Sequence, residues 1–141
     1  MSASPIKALF HGIGLLVARY LMVETERNPL IPTTDVSDLA QILRRGDVLL
    51  IEGCARVSAP IRYLTQSTWS HAALYTGPIE GRMKVDGEPH VLIEADMMDG
   101  VHSSPLSRYR KDHTRICRPL KGSDEDITAL VAFAVERIGY K

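Results

Sequence analysis

Four short apolar runs, punctuated by glycine and proline, set what this chain can fold into. Asp47-Val48-Leu49-Leu50-Ile51 is apolar after its aspartate and is broken at Gly53, the pattern of a buried strand. Ser70 to Thr76 stops at Gly77-Pro78, and His90 to Ala95 carries Val91, Leu92 and Ile93 at its centre. Thr114 to Pro119 is the fourth run and contains Cys117. Runs this short suit strands better than helices. The polar, glycine-rich segment Gly77 to Pro89 reads as a loop or hairpin connection.

Helices are expected around these strands. Thr34 or Asp35 can cap a short one whose Leu39, Ile42 and Leu43 follow helical spacing, with Gly46 as its stop. Pro60 suits the first turn of another, running to about Gln66. The clearest helix begins at Ser123, an N-cap followed by Asp124, Glu125 and Asp126, where the helix dipole favours negative charge. Ile127, Leu130, Val131, Ala134, Val135 and Ile138 form its apolar stripe, and Gly139 ends it. The fold expected is α+β, a small antiparallel sheet flanked by helices. It divides into an apolar N-terminal helix over 1–27, a linker over 28–34 with Asn28-Pro29 and Ile31-Pro32, and a domain over 35–141.

Within the first of these, Ile6 to Val23 is the most apolar stretch, interrupted by Lys7, His11 and Arg19. It is marginal as a spanning segment, which needs about 20 apolar residues, and it lacks a cleavage site of the secretory kind. On a helical wheel Lys7, His11, Gly14 and Ala18 share a narrow stripe and the rest is apolar. Such a helix packs on its own domain or a partner, or lies on a bilayer surface.

Charge and composition remove several functions. The chain has 17 basic and 17 acidic residues and a net charge of +0, so it lacks the basic footprint of a nucleic-acid binder. Aromatics are too few for a base-stacking platform. Cys54 and Cys117 stand far apart in no zinc-ligand spacing, and two cysteines do not make a disulfide-stapled scaffold. Reduced thiols, in the cytoplasm or against a membrane, are the expectation, with no cofactor and no metal. The sequence has no phosphate-cradling loop, no dinucleotide fingerprint and no serine elbow.

The chemistry points to the pair of strands 70–76 and 90–95. Alternation puts His71, Ala73 and Tyr75 on one face of the first, and His90, Leu92 and Glu94 on one face of the second. An antiparallel pairing with His71 opposite Glu94 sets Thr76 opposite Pro89. A carboxylate beside an imidazole fixes its tautomer and stabilises the imidazolium, the orienting role in a nucleophile–base–orienter site. A structural histidine and a salt-bridged glutamate are the ordinary alternatives. Metal binding is a rival use, with His71, His90, His102, His113, Asp96 and Asp99 as possible ligands. No two histidines stand at HxH or HxxxH spacing.

These residues also carry a resemblance. Arg45-Gly46-Asp47-Val48-Leu49-Leu50 is followed by Thr68-Trp69-Ser70-His71-Ala72-Ala73-Leu74-Tyr75-Thr76-Gly77. Val91-Leu92-Ile93-Glu94-Ala95 and Gly100-Val101 then follow in order. From about Leu43 onward the chain resembles the circularly permuted NlpC-like hydrolases of the YiiX/YebB branch, relatives of the LRAT-type acyltransferases with a papain-like fold. The resemblance implies a cysteine hydrolase of amide or ester bonds in peptides, cell-wall peptides or lipids. It implies His71 as general base and Glu94 as the polar third member that orients it. It places the nucleophilic cysteine at the start of a helix well downstream, in a segment these 141 residues do not contain. A truncated hydrolase, inactive alone and prone to self-association through an uncovered sheet face, is the expectation. Cys54, ahead of a short helix, is a weaker substitute nucleophile, and Cys117 reads as a small buried residue. The alternatives are a non-catalytic lipid- or membrane-surface-binding module of the same fold, and a metal-dependent hydrolase.

Overall fold

The strands pair into one antiparallel sheet of five, in the order β4-β3-β2-β1-β5. The structure, a computed structural model, describes residues 5–23 and 35–141. The strands are β1 (Val48–Ile51), β2 (His71–Tyr75), β3 (His90–Asp96), β4 (Gly100–Pro105) and β5 (Thr114–Cys117). The helices are α1 (Pro5–Leu21), α2 (Val36–Ile42), α3 (Ser58–Thr65) and α4 (Asp124–Glu136), with a 3₁₀ turn over Leu106–Tyr109. The architecture is α+β, as its sequence pattern predicts. The expected linker 28–34 lies outside the described residues.

One face of the sheet carries the core. Leu49 and Ile51 of β1, Ala73 of β2 and Leu92 of β3 pack with Leu39 and Leu43 from the α2 segment and with Leu106 and Tyr109 from the 3₁₀ turn. Side-chain alternation puts His71 and Glu94 on this same face, at the end of the strands that the core does not fill. Asp35 caps α2 by accepting from the Ser37 amide at 3.0 Å. Asp47, buried just before β1, accepts from the Arg44 amide at 2.8 Å and from Arg118 Nε and Nη2 at 2.8 and 2.7 Å. That fork ties the end of β5 to the start of β1.

Three expectations need correction. The β2–β3 register pairs Leu74 with Ile93 and Tyr75 with Leu92, and the Thr76 amide donates to the Val91 carbonyl at 2.9 Å rather than facing Pro89. The pairing is thus two residues away from the one that sets His71 opposite Glu94. A shift of two preserves the faces, so the side chains still meet, on the diagonal. β4 is a strand that its polar composition, Gly-Val-His-Ser-Ser-Pro, conceals. It forms because β3 offers it a continuous ladder from Ala95↔Val101 to Leu92↔Ser104. Finally, the α4 stripe is only partly covered. Val131 is buried, Ile127, Ala134, Val135 and Ile138 are half-buried, and Leu130 is exposed, beside a groove of about 450 Å³ lined by Val48, Cys117, Ile127 and Leu130.

Candidate active site

His71 and Glu94 meet. His71 Nε2 lies 2.5 Å from Glu94 Oε2, with the carboxylate side chain 1% exposed and the imidazole 27% exposed. A carboxylate only accepts, so Nε2 carries the proton it donates and Nδ1 holds the lone pair. The tautomer is therefore set by the pairing, and Nδ1 is the nitrogen through which the ring can take a proton.

Glu94 has further partners that sequence patterning did not single out. The Tyr109 hydroxyl donates to the same Oε2. Arg108 Nε stands 3.7 Å from Oε1, and His102 Nε2 stands 3.5 Å from it. Burial pushes the Glu94 carboxyl up, but the bonds from His71 and Tyr109, the nearby Ser104 hydroxyl and the Arg108 charge outweigh it and lower its pKa to about 2. Glu94 is thus a fixed anion. Tyr109 moves the other way, since burial and the adjacent Glu94 charge both raise its pKa and keep it a donor. The only signal of Tyr109 in the sequence is its spacing of three from Leu106 after Pro105, one turn of helix aimed at a core.

The pair borders a cleft of about 380 Å³. Its wall includes His71, Glu94, Asp96, Tyr109 and Arg108, and its rim includes the apolar Met22, Val57, Ile61 and Met97. Cys54 lines the same cleft. The loop bearing it is held by the Gly53 amide donating to Ser70 Oγ at 3.0 Å and by Arg62 Nη1 donating to the Gly53 carbonyl at 3.0 Å. A side chain at Gly53 would run into the Ser58 and Ser70 hydroxyls, so only glycine lets the loop close on β2. Cys117 lies in β5, half-buried and away from this cleft, beside the groove under α4.

The residues of the rival metal reading separate into two groups. Asp96, Asp99 and His102 offer ligand atoms that all lie within 4.8 Å of one another. His102 Nδ1 donates to the Gly100 carbonyl at 3.0 Å, which turns Nε2 toward Glu94 Oε1 and Asp96 Oδ2, at 3.5 and 3.9 Å. An acceptor nitrogen facing two carboxylates is satisfied by a proton or by a cation. His71 is committed to Glu94, and His90 bonds Ser103 Oγ at 2.9 Å. Neither they nor His113 join the cluster.

No protein-family model, curated protein or solved structure matches this chain.

Proposed function

We propose that this chain carries the base and the orienter of a cysteine hydrolase with a permuted papain-like core, acting on amide or ester bonds. The observation that supports it is the His71 Nε2–Glu94 Oε2 pair at 2.5 Å beside an open cleft. In this reading Glu94 holds the ring with Nδ1 ready to receive the thiol proton. The thiolate attacks the substrate carbonyl, His71 returns the proton to the leaving amine or alcohol, and water, deprotonated by His71, releases the acid from the thioester. Tyr109 keeps Glu94 fixed and anionic through the cycle. The resemblance to the NlpC-like hydrolases assigns the thiol to a helix-borne cysteine that is neither Cys54 nor Cys117.

The test is alkylation of the full-length gene product by iodoacetamide, with the labelled cysteine located by peptide mass spectrometry. The reading expects one rapidly labelled cysteine that is neither Cys54 nor Cys117. Its labelling at neutral pH should slow by at least about tenfold in His71→Ala. His71-dependent labelling of Cys54 would keep the base and orienter but overturn the assignment of the nucleophile. Labelling indifferent to His71 at every cysteine would overturn the cysteine hydrolase.

A metal-dependent hydrolase is the second reading, favoured by the convergence of Asp96, Asp99 and His102 beside Glu94. It requires hydrolysis that chelation abolishes and a divalent ion restores. Hydrolysis insensitive to chelation would remove it.

A further inference from the structure

The first helix offers a broad apolar face that nothing among the described residues covers. Phe10, Leu16 and Tyr20 are 68%, 67% and 62% exposed, and Ile13 and Val17 are exposed beside them. At 100° per residue these five span about a third of the circumference, wider than the seam of a coiled coil. The helix is nonetheless anchored. The Val57 amide donates to the Leu21 carbonyl at 3.0 Å, the Arg56 amide donates to the Val23 carbonyl at 3.1 Å, and the Arg56 guanidinium stacks 4.3 Å from the Tyr20 ring. The anchor point is the segment between Cys54 and α3, which lines the cleft, and Met22 lines it too.

A second observation lies on α3. Tyr63 and Leu64 are 77% and 79% exposed on that helix, next in the chain after the anchor segment. Neither α1 nor α3 contains an acidic residue, whereas Arg19 and Arg56 lie on or between them. Two copies of this chain meeting face to face would bring these cations together with no carboxylate on either helix to pair them. A bilayer accepts the whole apolar width and supplies the negative charge. The helix has 17 residues, about 25 Å at its rise per residue, short of the ~30 Å hydrocarbon core. It suits lying in the interface, not crossing it.

We propose that α1 and the exposed end of α3 form a docking surface for an anionic bilayer, which holds the His71 cleft at the membrane to receive an ester or amide carried by a lipid. The substrate class rests on the hydrolase reading above; the docking surface does not.

The experiment is co-sedimentation of the full chain with phosphatidylcholine vesicles, with and without phosphatidylglycerol, beside light scattering of the chain alone. Phe10→Glu/Leu16→Glu and Tyr63→Ser/Leu64→Ser alter only exposed positions, and circular dichroism checks that each variant is folded. The proposal expects binding to the anionic vesicles that weakens with salt. Binding should fall by at least about tenfold in the α1 variant and by a smaller factor in the α3 variant. Unchanged binding in the folded α1 variant would overturn it. So would a wild-type dimer that binds no vesicles and becomes monomeric in that variant, since the face would then belong to a second copy. Vesicle binding reads the surface and His71-dependent alkylation reads the hydrolase, so failure of one is distinct from failure of the other.

Discussion

Tyr109→Phe removes one hydroxyl and leaves the ring in the core, so it isolates a single bond. That bond runs from a buried phenol to a buried carboxylate, the charge-assisted kind worth about 1.5–3 kcal/mol. The phenylalanine keeps the apolar packing, and the Glu94 oxygen retains His71 as a donor. We expect a loss of about 2 kcal/mol at neutral pH, measured by urea unfolding. The pH dependence follows from Glu94. Its folded pKa of about 2 lies below the ordinary value of 4.5. Its contribution is thus complete above pH 4.5 and is lost as pH falls toward 2, on the order of 3 kcal/mol in all. Without the hydroxyl the folded pKa of Glu94 rises, and the variant has less of this stability to lose in acid. The gap between the two proteins should therefore narrow to roughly half near pH 3. A gap that is the same at pH 3 and pH 7 would refute the argument, because the hydroxyl would then not be bonded to an ionised Glu94.

Three other substitutions probe the frame around the site. Asp47→Ala strands Arg118 and the Arg44 amide, and should cost about 2–3 kcal/mol in chemical unfolding, mostly through hydrogen bonds of a buried group, since Arg118 itself is partly solvated. Gly100→Ala meets both a positive φ of 66° and the Tyr140 carbonyl. It should cost about 1 kcal/mol or more and speed hydrogen exchange at the Val101 and Gly139 amides, which bond the Tyr140 and Val101 carbonyls. Ser123→Ala breaks the capping box with Asp126 and should lower stability by ~1 kcal/mol, with the first turn of α4 exchanging fastest.

What could be read from the sequence was what local rules govern. Ser123 announced α4 and Asp35 announced α2 because a cap is a contact between near neighbours. The apolar runs marked β1, β2, β3 and β5 for the same reason. Face assignment on β2 and β3 also survived, since parity tolerates a register error of two. The register itself did not, because it is set by a loop of over a dozen residues and by the ladder to β4. β4 was hidden because its Ser103 and Ser104 are buried by pairing with β3 rather than by hydrophobicity. Tyr109 and Arg108 were missed at the site, and His102 was read only as a possible metal ligand, because no spacing rule links these residues to Glu94.

The Tyr109 ring and the His71 ring share one oxygen atom of Glu94, and that has a consequence for anyone altering this protein. Tyr109 belongs to the same packed layer as Leu106 and Leu92. A repacking of that layer displaces the hydroxyl, and with it the carboxylate that holds the imidazole. Selection for heat tolerance at these interior positions would therefore act on reactivity as well, although none of the residues chosen need border the cleft.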